Sequence, residues 1–282
     1  MKEFPMILAF VKDLIFSARI ESAAEILGFE VILIESAIQI FPEVDDEQEP
    51  TFAEPLQGRD GVIIEKITRW RPALIIFDLG NDSIPWLPWI TMLTSVPATR
   101  GIPVLCYGSH VDIDDLKAAR EAGATRVVTR STFVKDLSDL LIKQAKVIDL
   151  DELKLTCDEP LSHYALKGVE KFNRGEYFKA HDLLEIAWKE DQSSGRELYR
   201  AILQVAVAYY QIIRGNYNGA AKMFLRVRKW LEPLPEICRG INIGKLRQEA
   251  GKVYQEMINL GPDKISEFDP GMMKPIEFQK LN

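Results

Sequence analysis

The chain has 282 residues, 47% of them hydrophobic and 27% charged, with 35 Lys and Arg against 42 Asp and Glu for a formal net charge of −7. This length predicts two compact domains, this composition excludes whole-chain disorder, and no apolar run approaches the ~20 residues that span a bilayer. The charge is uneven: residues 1–150 hold 15 basic and 23 acidic side chains and residues 151–282 hold 20 and 19, so the first half is a poor candidate for neutralising nucleic-acid phosphates.

In chain order, the apolar run Met6 to Val11 lacks a small-residue cleavage site and reads as a first strand, not a signal peptide. Leu14 to Leu27 has helical periodicity and stops at Gly28, a C-cap signal. A second short run, Val31 to Ile34, precedes Phe41 to Asp60, where Glu43, Asp45, Asp46, Glu47, Glu49 and Glu54 predict an acidic surface loop. Ala73 to Phe77 reads as a third strand. Pro85 and Pro88 then place Trp86 and Trp89 on the first turn of a helix, where they are expected to form an interface with a partner or another part of the chain. Val104 to Tyr107, a helix from Ile113 to Ala122 stopped by Gly123, and Arg126 to Thr129 follow. Short, unalternating, largely β-branched runs suit strands buried on both faces. Five of them separated by helices predict an α/β doubly wound, five-stranded parallel sheet.

From Leu161 to Glu232 no proline occurs in 72 residues, which suits a helical bundle because an interior proline costs ~3 kcal/mol. The expected organisation is an α/β domain over 1–146, a linker over 147–159, and an all-α domain with a C-terminal tail over 160–282. Cys106, Cys157 and Cys238 are widely spaced and odd in number, so free thiols in a reducing cytoplasm are expected. With His110, His163 and His181 as the complete set of histidines, a His-rich metal centre is excluded.

The order of segments in the first half resembles the receiver domain of bacterial response regulators, a flavodoxin-like fold. It runs strand, Asp13, helix, Gly-Phe-Glu-Val at 28–31, Arg-Pro-Ala-Leu-Ile-Ile-Phe-Asp at 71–78, Gly-Ile-Pro-Val-Leu at 101–105 and Ala-Gly-Ala-Thr-Arg-Val-Val at 122–128. The resemblance puts Asp78 at the phosphoacceptor position and Asp13 at one member of the acid pair, with Lys12 where a second acid is usual. It puts Gly108 at the small-hydroxyl position, Ser109 one step later, and Arg130 at the Lys position, followed by Ser131 in place of the usual Pro. A working receiver gathers three carboxylates and one Lys, whose net −2 a Mg²⁺ ion offsets. Here Lys12, Asp13, Asp78 and Arg130 sum to zero. The expectation is a pseudo-receiver locked by an Arg130–Asp78 ion pair and needing no cofactor. Against it stands a receiver in which Ser109 and Arg130 substitute adequately, Mg²⁺ binds and Asp78 accepts phosphate.

In the second half, Arg174-Gly175-Glu176-Tyr177-Phe178-Lys179-Ala180 recurs forty residues later as Arg214-Gly215-Asn216-Tyr217-Asn218-Gly219-Ala220. The spacing resembles tetratricopeptide repeats. More specifically, the string from Phe172 to Trp188, with Ala201 to Tyr210 and Arg214-Gly215-Asn216, resembles the family called DUF309, which has been loosely labelled a metal-dependent hydrolase. His181 and Glu185 stand at i and i+4, within reach of each other or of one metal. Together with Gln204 and Arg214 they form a candidate pocket. Three readings stay open for it: a structural polar network, a ligand or peptide pocket, or metal-dependent hydrolysis. The expected role of the whole chain is regulatory or adaptor binding in signal transduction, without covalent chemistry. The partner is expected to be a protein or small ligand, a homodimer included, with neither membrane nor nucleic acid.

Overall fold

The computed structural model describes residues 4–41 and 58–279; most of the acidic segment expected as a surface loop lies outside them. The chain divides into two units, Met1–Val147 and Ile148–Asn282.

The first unit is built from β1 (Met6–Phe10), α1 (Leu14–Leu27), β2 (Glu30–Ile34), α2 (Gly58–Trp70), β3 (Leu74–Asp78), α3 (Trp86–Ser95), β4 (Val104–Gly108), α4 (Ile113–Glu121), β5 (Arg126–Thr129), α5 (Arg130–Lys135) and α6 (Leu137–Gln144). The five strands pair in parallel in the order β2-β1-β3-β4-β5, the doubly wound arrangement expected from the alternation of runs. Strand side chains alternate between faces. Ile7, Ala9, Leu74, Ile76, Leu105 and Tyr107 pack with Ile20 and Ala24 of α1 and Leu140 and Leu141 of α6. On the opposite face Phe10 stacks on Phe77 at 4.6 Å and meets the edge of Trp89 at 5.4 Å.

Trp89 is therefore core. It is 4% exposed, and the interface expected of it is corrected: one turn into α3, it faces the sheet. Trp86, at the helix start, stays partly open to solvent.

The second unit comprises α7 (Leu150–Cys157), α8 (His163–Asn173), α9 (Tyr177–Glu190), α10 (Glu197–Ile213), α11 (Tyr217–Leu231), a two-residue-strand hairpin β6 (Ile237–Cys238) and β7 (Ile241–Asn242), and α12 (Ile243–Leu260). The stretch expected as linker thus contains α7, whose N-terminus is capped by Asp149 accepting from Asp151 N and Glu152 N. The recurring Arg-Gly sequences make two matching helix turns: α8 passes to α9 through Gly175 at φ 74°, and α10 to α11 through Gly215 at φ 69°. A Cβ at either glycine would meet no neighbour within 4 Å, so the requirement is backbone freedom alone. In the first turn Glu176 accepts from Lys179 at 2.7 Å and Lys171 at 2.9 Å, and these bonds draw its carboxyl down to about 2. Phe172, Tyr177, Tyr209 and Phe224 form the aromatic centre, with successive rings 5.1 to 6.3 Å apart.

Cys157 and Cys238 are joined by a disulfide across 81 positions, which corrects the expectation of three free thiols; Cys106 is free and buried in β4. The pairing depends on the fold placing the end of α7 beside β6, a proximity that spacing does not encode. The inference of a reducing compartment loses its support from unpaired cysteines. No helix among the described residues is long and apolar enough to cross a membrane.

Candidate functional site

The positions singled out in the first unit gather at the carboxyl edge of the sheet, where open α/β folds place their chemistry. Asp78 ends β3 opposite Tyr107 of β4, and Gly108 lies opposite Thr129 of β5. Asp78 is 3% exposed. Its Oδ1 accepts from Gly80 N at 3.0 Å and from Arg130 Nη2 at 3.3 Å. Arg130, the first residue of α5, has its guanidinium 5.8 Å above the ring of Phe16, which continues into a stack with Tyr107 and Phe133. A charge-assisted bond beneath a cation–π contact fixes the side chain from two sides.

The other residues turn elsewhere. Asp13 caps α1, its Oδ1 accepting from Ile15 N at 2.8 Å and Phe16 N at 3.3 Å. Lys12 donates to Ser83 Oγ at 3.3 Å, and Ser109 Oγ accepts from Val111 N in its own loop at 3.4 Å. For a magnesium ion the donor set offers two carboxylates, each accepting two N–H bonds on its Oδ1, with the Arg130 cation beside Asp78.

Two participants escape sequence reasoning. Tyr107 lies beside Asp78 and is fully buried, and burial, helped by the Asp78 charge, pushes its phenol up. At Gly80 an added Cβ would lie 2.3 Å from Arg130 Nη2, so this glycine is the gap through which Arg130 reaches Asp78. Gly80→Ala is expected to displace the guanidinium and lower stability by about 1 kcal/mol. Urea unfolding checks this, with Arg130→Met and the double variant completing a cycle in which the two losses do not add.

In the second unit no hydrogen bond or ion pair joins any two of His181, Glu185, Gln204 and Arg214 among the described residues. His181 Nδ1 lies 3.1 Å from Asp182 Oδ1, its neighbour in sequence. Glu185 pairs with Lys189 at 3.0 Å, which draws its carboxyl below the usual range. Arg214 lies exposed over Tyr210. Gln204 Oε1 is buried with no partner. Among the described residues no three His, Cys, Asp or Glu side chains converge as a metal-ligand set.

The densest polar cluster instead surrounds Arg239, 2% exposed. Its guanidinium donates to Asp191 Oδ2 at 2.6 Å, Glu159 Oε2 at 2.9 Å, Ser193 Oγ at 2.9 Å, the Tyr199 hydroxyl at 2.5 Å and Thr156 O at 3.0 Å. Arg239 and Gly240 have φ of 50° and 80° and make the two-residue turn of the β6–β7 hairpin. Such a turn favours Asn-Gly or Gly-Gly. An arginine there is held by its side chain, against a backbone cost of about 1–2 kcal/mol.

Residues 165–223 match the family described as "Domain of unknown function (DUF309)". An uncharacterized protein of Aquifex aeolicus (strain VF5) is 28% identical over 79 residues, 27% of this chain and 23% of that one. The Bacillus subtilis (strain 168) uncharacterized protein YpuF is 28% identical over 116 residues, 40% of this chain and 63% of its own; the chain thus spans less than two thirds of either relative. Among solved structures, a response regulator from Thermotoga maritima is 17% identical, covering 50% of this chain and 97% of its own with a TM-score of 0.34. The receiver domain of sensor histidine kinase PA1611 from Pseudomonas aeruginosa PAO1, with magnesium coordinated in its active-site cleft, is 15% identical, covering 50% and 98% with a TM-score of 0.38.

Proposed function

We propose that the chain is a regulatory adaptor in signal transduction, in which a receiver-like unit is held in one state by an internal ion pair and a DUF309-like helical unit binds the partner. The observation that carries this reading is the Arg130–Asp78 contact. A phosphoryl group would have to add to a carboxylate that is 3% exposed and already bonded to Gly80 N and Arg130. The cation that would neutralise an incoming phosphate is thus already paired with the acceptor itself. Zero net charge over Lys12, Asp13, Asp78 and Arg130 removes the electrostatic demand for a divalent ion, and with it the polarisation that phosphoryl transfer to a carboxylate uses. Incubation with acetyl phosphate and Mg²⁺ followed by intact-mass measurement tests the reading. No mass gain is expected. A gain of one phosphate that is lost in Asp78→Asn would replace it with a phosphorylation-controlled regulator.

A further inference from the structure

We infer that the groove between α1 and α6 of the first unit is the contact between two copies of this chain, each laying its α1 along the α6 of the other. The inference begins with α1, which is apolar on two sides. Ile20 and Ala24 pack against the sheet, while Leu14, Ile15 and Ile26 point outward and are, with Ile142 of α6, 58–81% exposed. A surface helix ordinarily sets polar side chains opposite its buried stripe, and one that is apolar all round is ordinarily buried. Ala18 and Ser22 lie between Ile15 and Ile26 along α1, so the outward side is low at its centre. Both helices follow strands of one parallel sheet and so run in the same direction. They flank a groove of about 760 Å³ whose far wall includes Val134 and Ser138. Ile142, one turn beyond Ser138, extends that wall.

Area and charge select the occupant. The exposed parts of Leu14, Ile15, Ile26, Val134 and Ile142 come to roughly 500 Å², toward the upper end of the largest apolar patch that a monomer leaves open. Twice that, about 1,000 Å², is what a specific interface must bury at least, and the same groove on a second copy supplies the other half. Arg19, Lys135, Asp136 and Asp139 also line the groove, and their charges sum to zero. Asp139 is paired with Lys143; among the described residues Arg19, Lys135 and Asp136 make no side-chain bond. Residues 1–150 carry 15 basic against 23 acidic side chains, so two copies repel over most of this unit but not here. A two-fold contact uses one patch twice, and a patch of mixed sign brings Arg19 of each copy to an acid of the other. A strongly acidic or strongly basic partner would find no excess of opposite charge in this groove.

The experiment is sedimentation of the full chain from roughly 1 to 100 µM, since an interface of minimal size gives micromolar affinity. The mass is expected to rise from one chain to two. Ile15→Glu and Ile26→Glu, both at exposed positions, should each raise the dissociation constant about a hundredfold with unchanged circular dichroism, because symmetry places every substitution in the contact twice. Arg19→Glu should raise it about tenfold by leaving the lining acidic. Ile113→Glu, at an exposed position of α4 beside α3 on the other face of the sheet, should change nothing. A one-chain mass throughout overturns the inference. So does a dimer that survives Ile15→Glu and Ile26→Glu, or one that Ile113→Glu abolishes. Ile26→Cys tests the occupant directly: maleimide labelling of the new thiol should slow as the dimer fills. Protection that is independent of concentration would give the groove to another part of the same chain and also overturns the inference. None of these outcomes touches the acetyl phosphate result at Asp78.

Discussion

Arg239→Met is expected to destabilise the helical unit by about 3–5 kcal/mol, the range for removing one partner of a buried ion pair. The methionine fills similar volume, so the loss comes from the polar groups it leaves behind. Asp191, with a side chain 16% exposed, loses its cation, and the Tyr199 hydroxyl and Ser193 lose a donor; Glu159, 55% exposed, recovers water. Denaturant unfolding followed by fluorescence of Trp188 and Trp230 measures the change, and an unaltered midpoint would refute the role given to Arg239. Arg239→Gly separates backbone from side chain: it loses the same bonds but relieves the positive φ, so it should be less destabilised than the methionine variant by about 1 kcal/mol. The pH dependence has a defined sign. Burial raises the Asp191 carboxyl, but the bonds from Ser193 and Arg239 outweigh it and hold the group below its ordinary value. Its stabilisation is therefore present above the unfolded value of ~3.9 and lost as pH falls below it. The gap between the native protein and Arg239→Met should narrow over that acid range.

Removing the Cys157–Cys238 link is expected to cost about 4.5 kcal/mol on loop-closure entropy alone for a closed segment of 81 residues. The paired Cys157→Ser, Cys238→Ser variant tests this by the same unfolding measurement. Because Arg239 N donates to Cys157 O at 2.7 Å, the link and the arginine cluster bind α7 to one hairpin. The losses from the two changes should accordingly fall short of their sum. Full additivity would show that they act separately.

The sheet was legible because its strands are buried on both faces. Runs such as Leu74 to Phe77 carry no polar residue to confuse a strand with an amphipathic helix, and Gly28 marks the end of α1, where the structure places it. The Arg130–Asp78 contact was legible through the receiver resemblance, which puts both residues at the carboxyl edge of the sheet. Gly80 was not, because its significance is a space that Arg130 occupies, and space has no signature in a string of letters. His181 and Glu185 lie within electrostatic reach, but the bonds they make go to Asp182 and Lys189, a preference that i, i+4 spacing does not encode. The disulfide and Arg239 were invisible because they join residues tens of positions apart. An arginine beside a glycine reads as a solvated turn until the groups around it are known.

The two Arg-Gly turns carry a consequence for the order in which this unit assembles. Each joins helices adjacent in sequence, so α8 with α9 and α10 with α11 close through short loops whose entropic cost is small. The clamp of α7 on the β6–β7 hairpin spans most of the unit and pays a larger closure cost. The expected folding nucleus is therefore the paired helices, with the arginine clamp and its sulfur link forming late. A nascent chain emerging from the ribosome would have its four central helices complete before the residue that anchors the clamp has been synthesised.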